Sequence, residues 1–228
     1  MKLSVIVTTY KRMDALKKVL EGLYAQTRLP DEILVADDWS GGDISGDISN
    51  VLAQFENKSC PTFFHVWQKN LGFRATLVRN RIVLADRGDC LVLLDGDCIP
   101  DCHFVADNLC FKSCKLSVIR SCNMGFYRQD ALSVKGFNRD FEGWGRQKSE
   151  FAARLFKMDL KKKHPFMAIC YHMWHKESLR IFLESNDGLL TKALASEAYA
   201  CEHGLNSVNP CNKSSRVNSY REAGHGSA

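Results

Sequence analysis

Two short acidic clusters carry the clearest chemical signal in this sequence. Asp95 and Asp97 are separated by one glycine and follow an unbroken apolar run, and Asp37 and Asp38 end a second apolar run. Carboxylate oxygens suit Mg²⁺ and Mn²⁺, which can bridge the two phosphates of a nucleoside diphosphate and stabilise its charge as it departs. Gly96 would let a ligand come close to the backbone. Aspartate and glycine are also common in turns, so a polar turn after a strand is the alternative interpretation.

Regular elements on either side would position these clusters. Short apolar runs rich in β-branched residues predict strands, and apolar residues at helical spacing predict helices. The predicted strands cover residues 3–8, 32–36, 63–67 and 90–94, and the predicted helices begin at residue 13 and cover 48–55 and 75–85. Strands that alternate with helices predict an α/β fold with a mostly parallel sheet. Ligands of such sheets bind beyond the carboxyl ends of the strands, where both acidic clusters lie.

The second half of the chain has a less regular pattern. We expect strands at 117–122 and 168–171 and helices at 130–134 and 150–158. The segment 206–228 consists largely of Ser, Asn, Gly and charged residues, which predicts a poorly ordered tail.

Bulk composition narrows the class of protein. The 228 residues are 45% hydrophobic and 25% charged, as in an ordinary globular domain. The net charge of +5 comes from scattered Lys and Arg residues, apart from the lysine run 161–163. We interpret that run as a solvated turn or helix end and expect no nucleic-acid partner. The charge supports only a weak attraction to phosphorylated substrates or to an anionic membrane surface.

The cysteines and the N-terminal residues bear on location. The ten cysteines form no Cys-x-x-Cys pair, and the apolar run at residues 3–7 is too short for a signal peptide. No window reaches the run of about 20 apolar residues that spans a bilayer. We therefore expect free thiols and a cytoplasmic location, with peripheral association at an inner membrane as an option.

Several motifs together resemble a known family. Residues 4–10 (SVIVTTY), 35–40 (VADDWS), 79–80 (RN) and 94–97 (LDGD) resemble the family-2 inverting glycosyltransferases. Residues 123–127 (NMGFY), 136–137 (GF), 141–145 (FEGWG) and 150–151 (EF) are similar to the C-terminal module of β-1,4-galactosyltransferases and many bacterial polysaccharide transferases. The resemblance implies a GT-A fold, a single Rossmann-like sheet. Residues 1–100 would then bind the donor, and 101–205 would form the acceptor-binding and catalytic half of the same domain.

The resemblance implies roles for the residues at the strand ends. Thr8, Tyr10 and Arg12 would line the nucleotide pocket, although Thr8 and Tyr10 could merely end a strand. Asp38 would accept a hydrogen bond from the uracil N–H, with Asp37 as the less suited candidate. Arg79 would lie near the diphosphate; a surface position on a helix is the alternative for this residue. Asp95 would contact the ribose, the donor sugar or the metal. Asp97 would bind the metal.

The second motif set implies a further metal ligand and a sugar-binding surface. His175 would complete the Mn²⁺ or Mg²⁺ site with Asp97, and His172 is a weaker candidate; a structural histidine is the alternative. Trp144 and Gly145, with Asn123, would contact the donor or acceptor sugar. A tryptophan in the hydrophobic core is the alternative for Trp144.

The sequence departs from the resembled pattern at the expected catalytic base. The Gly-Trp-Gly segment is normally followed, after one residue, by Glu-Asp, but here Gln147 and Lys148 occupy those positions. A lysine near its usual pKa of about 10.4 is protonated and cannot accept a proton. Either the chain binds a donor without turning it over, or Glu150 or Glu142 replaces the base, or Lys148 is desolvated enough to act as the base.

The function implied by the resemblance is transfer of a sugar, with inversion, from a UDP-sugar to a glycan or lipid-linked acceptor. Bacterial polysaccharide or lipopolysaccharide assembly is the implied pathway. A nucleotidyltransferase is a second enzymatic hypothesis, but it would need a Gly-rich basic loop where residues 8–10 are Thr-Thr-Tyr. The non-enzymatic hypothesis is a nucleotide-sugar binding subunit that partners an active transferase, and Lys148 favours it.

Overall fold

The architecture was analysed on a computed structural model of the chain. The structure describes residues 1–38, 50–51, 53–55, 61–68, 72–109, 116–117, 123–163, 167–176, 181–208 and 215–220. The polar segment 40–47, for which the sequence predicts a loop, lies outside these residues, as do residues 48, 49 and 52 of the helix predicted at 48–55. Residues 50, 51 and 53 are helical. Among the described helices, none is both long enough and apolar enough to cross a membrane.

The first half of the chain forms the parallel centre of the sheet. Strands β1 (Leu3–Thr9), β2 (Glu32–Asp37), β3 (Thr62–Gln68) and β4 (Cys90–Asp95) match the four predicted runs. Strand β1 pairs in parallel with β2 on one side and with β4 on the other, and β3 continues the sheet beside β2. The prediction of an α/β, mostly parallel sheet is confirmed.

Alternating side chains of these strands enter two cores on opposite faces of the sheet. Val5, Val7 and Val92 pack on one face against helix α1 (Met13–Tyr24). Ile6 and Leu93 pack on the other face against helix α2 (Ala75–Ala85). Because successive strand residues point to opposite faces, a strand covered on both sides reads as an unbroken apolar run, as β4 does from Cys90 to Leu94.

The second half extends the sheet with antiparallel strands and covers it with helices. The remaining elements are β5 (Cys98–Pro100), α3 (Phe104–Leu109), β6 (Leu116–Ser117), β7 (Asn123–Tyr127), α4 (Arg128–Ser133), α5 (Gln147–Lys157), β8 (Lys162–Lys163), β9 (Cys170–His172), α6 (Leu183–Ala195), a 3-10 turn (Leu205–Ser207) and β10 (Ser215–Tyr220). Within the described residues the main sheet has the order β10-β3-β2-β1-β4-β7-β6-β8, and β5 pairs with β9 in a separate ribbon.

The predictions for the second half differ from the structure in several places. Residues 118–122 of the strand predicted at 117–122 lie outside the described residues, and β7 follows them without having been predicted. The pattern gave no indication of α6, because most of its residues are exposed and it lacks an apolar stripe. Helices α4 and α5 and strand β9 lie within a few residues of their predicted positions.

Part of the segment expected to be a poorly ordered tail is regular. Strand β10 pairs antiparallel with β3, with Ser215 opposite Gln68 and Tyr220 opposite Phe63. An exposed sheet edge offers a row of unpaired N–H and C=O groups, so a polar segment can add a strand there without a core of its own. The expectation of disorder therefore does not extend to these six residues.

A buried ion pair lies within α5, and its arginine also joins this helix to the segment after α4. Arg154 donates to both carboxylate oxygens of Glu150, at 2.6 and 2.9 Å, and also to the backbone carbonyls of Val134 and Gly136. Both side chains are almost fully buried. Every charged atom of the pair therefore has partners, which is the condition under which burial of charge is tolerated.

Replacing Arg154 by Leu is expected to lower the free energy of unfolding by about 3–5 kcal/mol, because Glu150 would remain buried without its partner. Urea unfolding followed by circular dichroism measures the change. The matched control is Arg28→Leu, which breaks the exposed Arg28–Asp31 pair and should cost no more than about 1 kcal/mol. Equal losses in the two variants would contradict the role given to the buried pair.

A carboxylate pair lies at the opposite end of the sheet from the acidic clusters. Burial is the main cause that raises the pKa of Asp86 to about 6, and neighbouring Glu32 raises it further. Glu32 is also held by Lys2 and by Ser4, whose hydroxyl donates to it at 3.1 Å. The protonated form of Asp86 is therefore favoured by folding.

This raised pKa predicts a pH-dependent stability. The contribution of protonated Asp86 is full below the unfolded-state pKa of about 3.9 and is lost as the pH rises through about 6. We expect Asp86→Asn to gain stability relative to the natural chain as the pH rises from about 4 to about 7, by on the order of 2 kcal/mol. Urea unfolding across this range measures the difference. Exposed Glu197→Gln is the control, and an equal gain in that variant would refute the assignment.

Candidate functional site

The parallel register brings the acidic clusters to one edge of the sheet. Thr8 of β1 lies opposite Asp95 of β4, and Thr9 lies opposite Asp37 of β2. The backbone N–H of Gly96 donates to the Thr8 carbonyl at 2.8 Å. A Cβ on Gly96 would lie 2.7 Å from that same oxygen, so only glycine fits this contact. The site thus begins where three parallel strands end.

Asp97 is surrounded by two histidines and an arginine. The Nε2 atom of His175 lies 3.4 Å from Asp97 Oδ2, and the Nε2 atom of His172 lies 3.6 Å from Asp97 Oδ1. Arg12 donates to Oδ2 at 3.0 Å. The pairing of β9 with β5 positions the histidines, and the Met173 N–H donates to the Asp97 carbonyl at 2.8 Å.

The Asp97 cluster brings three groups of metal-ligand type close together. One carboxylate oxygen and two imidazole nitrogens of Asp97, His172 and His175 lie within 4.8 Å of one another. Oxygen and imidazole ligands suit Mn²⁺, and three protein ligands leave coordination positions for phosphate oxygens. Asp95, which the sequence predicts as a third ligand beside Asp97 and His175, is not a member of this group. The cluster contains His172 in its place.

A second group of metal-ligand types lies in the turn before α3. Asp101, Cys102 and His103 are consecutive, and the His103 N–H donates to Asp101 Oδ1 at 3.1 Å. The Cys102 sulfur lies 3.2 Å from His103 Nδ1. Hydrogen bonds within one turn account for this proximity, so the group gives no reason to infer a bound ion.

Asp95 is held by two cations of the protein. Lys148 donates to Asp95 Oδ1 at 2.8 Å, and Arg79 Nη2 lies 3.6 Å from the same oxygen. Arg79 is a buried residue of α2, not a surface residue, and its Nε donates to the Thr8 hydroxyl at 3.4 Å. Burial lowers the pKa of Arg79, while Asp95 and Asp38 oppose that shift. The Nη1 atom of Arg79 is buried and has no hydrogen-bond partner among the described residues.

Asp38 and Asp37 are both buried beneath the strand ends. Gln68 and the backbone N–H of Arg74, the latter at 2.7 Å, donate to the two carboxylate oxygens of Asp38. Burial raises the pKa of Asp38, and these hydrogen bonds partly offset the rise. Asp37 lies 3.4 Å from the Nε2 atom of buried His65. Both oxygens of the carboxylate expected to read uracil are thus already engaged with this chain.

A glycine-rich loop, residues 142–145, precedes α5, and the Gly143 N–H donates to the Phe73 carbonyl at 3.2 Å. Gly143 and Gly145 have φ angles of 63° and 111°, which favour glycine, and they frame Trp144. Trp144 is 46% exposed, so it is not a core residue. Asn186 of α6 donates to the carbonyls of Glu142 and Gly145 at 2.8 and 3.1 Å. Asn186 therefore supports the loop, a role that no motif in the sequence indicated.

Other predicted sugar-site residues have structural partners. Asn123 is buried in β7 and donates to the carbonyl of Ala168 at 2.9 Å, which joins two strand regions. Gln147 is also buried and donates to the carbonyl of Gly143 at 2.6 Å, which closes the loop onto α5. Tyr10 packs edge-on against Phe73 beside this loop, with ring centroids 6.3 Å apart.

The carboxylates near the expected base position face different environments. Glu150 is buried with Arg154 and points into the core. Glu142 is 45% exposed and lies 2.9 Å from Arg74, at the start of the glycine-rich loop. Of the two carboxylates that the sequence offered, only Glu142 is accessible to a ligand.

Two family models match consecutive parts of the chain. Residues 4–107 match the model for glycosyl transferase family 2, and residues 103–176 match the model described as the N-terminal domain of galactosyltransferase. Hyaluronan synthase of Pasteurella multocida is 38% identical over 100 residues, which cover 43% of this chain and 10% of the synthase. An uncharacterized glycosyltransferase of Bacillus subtilis strain 168, YwdF, is 34% identical over 97 residues, 42% of this chain and 33% of YwdF. The chain thus spans a third or less of the length of these relatives.

Solved structures share the fold at low sequence identity. S. aureus TarS 1–349 in complex with UDP-GlcNAc superposes with a TM-score of 0.63 at 16% identity, over 78% of this chain and 60% of that TarS chain. The catalytic domain of Drosophila β1,4-galactosyltransferase 7 in complex with xylobiose gives 0.60 at 13% identity, over 91% and 84%. A further structure of that Drosophila enzyme contains manganese, UDP-Gal and xylobiose. These similarities confirm the predicted GT-A fold.

If the Asp97 cluster binds Mn²⁺, each of His172→Ala and His175→Ala should weaken Mn²⁺ binding at least about tenfold, since loss of even a supporting residue costs that much at metal sites. The free Mn²⁺ signal in electron paramagnetic resonance titrations measures the affinity. His203→Ala, which removes an exposed histidine paired with Asp140, is the control. Unchanged affinity in both cluster variants would rule out this cluster as the metal site.

Proposed function

Because this chain belongs to the family-2 glycosyltransferases, we propose that it transfers a sugar, with inversion, from a UDP-sugar to a glycan or lipid-linked acceptor. The observation that carries the proposal is the convergence of Asp95, Asp97 and buried Arg79 at one edge of the sheet. A diphosphate requires positive charge at such an edge, and a sugar requires polar side chains beside it. Both are present there.

The donor would lie across the ends of β1, β2 and β4. We assign Thr8, Tyr10 and Asp38 to the nucleotide and Arg79 to the diphosphate. Asp38 would receive the uracil N–H on a lone pair that Gln68 and Arg74 leave open, since a carboxylate oxygen accepts more than one hydrogen bond. UDP as the nucleotide is supported by the complexes of TarS with UDP-GlcNAc and of the Drosophila enzyme with UDP-Gal.

A divalent ion fits the Asp97 cluster by its donor set. Asp97, His172 and His175 would hold Mn²⁺ or Mg²⁺, which would stabilise negative charge on the departing diphosphate. Arg12, at 3.0 Å from Asp97, would orient this carboxylate. The manganese in the Drosophila structure supports the choice of ion.

The acceptor would enter on the side of the glycine-rich loop. Trp144 offers an exposed aromatic face on which a sugar ring can pack. We propose Glu142 as the base that takes the proton of the acceptor hydroxyl. The hydroxyl oxygen forms a bond to the anomeric carbon while the bond from that carbon to the diphosphate oxygen breaks on the opposite side. Alignment of the two substrates would provide much of the rate.

We place the reaction at the cytoplasmic face of a bacterial membrane, in the assembly of polysaccharide or lipopolysaccharide. In the part of the chain that the structure describes, Cys90, Cys102 and Cys201 form no disulfide, which supports a reducing compartment. The mild excess of positive charge supports peripheral contact with anionic lipid.

The assignment of Glu142 predicts that Glu142→Gln lowers kcat by about 10²–10⁴-fold, the usual contribution of a general base, and leaves UDP affinity unchanged. Radiolabelled UDP-sugars and a panel of glycan acceptors measure transfer, and calorimetry measures UDP affinity. The control is Glu184→Gln, an acidic residue in the first turn of α6. Proton NMR of the product tests inversion at the anomeric carbon. UDP binding without turnover of any donor by the natural chain would contradict the enzymatic proposal.

A further inference from the structure

Lys148 occupies the donor side of the cleft as a cation. Its Nζ donates to Asp95 Oδ1 at 2.8 Å, and only 10% of the side chain is exposed. An ammonium group is a donor without acceptor capacity. In this geometry Lys148 cannot take a proton from an acceptor hydroxyl, so its role differs from that of the carboxylate expected at this position.

Two cations of the chain meet one carboxylate oxygen on the donor side of the cleft. Lys148 and Arg79 both lie against Asp95 Oδ1, and the carboxylate of Asp38 also acts on the Arg79 guanidinium. Arg12 lies against Asp97. The two cations at Asp95 belong to the chain itself, so they are present with or without a bound metal.

Arg79, which contacts Asp95, has a hydrogen-bond donor that lacks an acceptor in the described part of the chain. Arg79 Nη1 is buried and has no hydrogen-bond partner among the described residues, although Nη2 and Nε of the same guanidinium face Asp95 and Thr8. The guanidinium lies over the Phe137 ring, 5.8 Å from the ring centroid, but a ring face does not replace a hydrogen-bond acceptor, so the hydration that Nη1 loses on burial is not fully compensated. A phosphate oxygen that accepts from Arg79 would remove this cost, and Lys148 would supply a second charged donor beside it.

We propose that Lys148 and Arg79 form a built-in cation site for the diphosphate of the donor, with Asp95 holding Lys148 in position. The inference rests on the proposed function, because it presupposes a nucleoside diphosphate ligand. The proposed cation site changes whether the nucleoside diphosphate needs a divalent ion in order to bind. UDP would bind to this chain in the absence of a divalent ion, and the Asp97 cluster would add affinity without being indispensable for binding.

The test compares UDP with uridine, which lacks the phosphates, by calorimetry in the presence of EDTA. We expect the natural chain to bind UDP more tightly than uridine under these conditions. Lys148→Gln should lower UDP affinity by about 10- to 100-fold, the range for hydrogen bonds to charged groups, and leave uridine affinity unchanged. Lys148→Arg should restore most of the UDP affinity because it retains the charge. Lys18→Gln, on the exposed face of α1, should change neither affinity.

The possible results distinguish a failure of this inference from a failure of the proposed function. If UDP and uridine bind equally in EDTA and Mn²⁺ alone confers tight UDP binding, the built-in cation site is wrong and the proposed function stands. If UDP binds neither with nor without Mn²⁺, the proposed function itself fails. If Lys148→Gln and Lys148→Arg both lose uridine affinity and UDP affinity to the same extent, the substitutions damage the fold and do not remove a phosphate contact. That result would overturn the inference.

Discussion

The parallel register of β1, β2 and β4 is the constraint on which the site depends. Thr8 lies opposite Asp95, and Thr9 lies opposite Asp37, only while this register holds. A slip by one residue would turn every side chain of a strand to the other face. Because side chains of β1 and β4 pack in a core on each face of the sheet, such a slip would require both cores to repack. Apolar packing in the middle of the sheet therefore fixes the positions of charges at its edge.

An element of the fold is predictable from sequence when the contacts that stabilise it are local in the chain. The central strands are predictable because a short unbroken apolar run such as 90–94, in a chain where strands alternate with helices, is typical of a strand buried on both faces. Strand β7 contains Asn123 and Gly125, residues that weaken a local strand signal, and it forms by pairing with β4. Helix α6 depends on contacts such as that of Asn186 with the glycine-rich loop. These elements are determined by partners distant in sequence, which a local pattern does not encode.

The same distinction applies to the site. Sequence spacing indicated Asp95, Asp97 and His175 because strand ends and family motifs place them. It could not indicate that the two aspartates take different partners, since the contact of Lys148 with Asp95 joins residues 53 positions apart. His172 joins Asp97 because β9 pairs with β5, and that ribbon is itself a tertiary contact. Charge type is readable from sequence, whereas the partner of each charge follows from the assembled fold.

Helix geometry then limits which carboxylate can serve the cleft. Lys148 and Glu150 are two positions apart on α5, and two positions rotate a side chain by about 200° around a helix. The two side chains therefore face nearly opposite directions, and the structure accordingly has Lys148 at Asp95 and Glu150 in the core with Arg154. Turning Glu150 toward the cleft would withdraw Lys148 and leave Arg154 buried without its partner. For the proposed reaction, a carboxylate base would consequently come from outside α5. The glycine-rich loop before α5 offers Glu142, whose flanking Gly143 permits the positive φ that the loop requires.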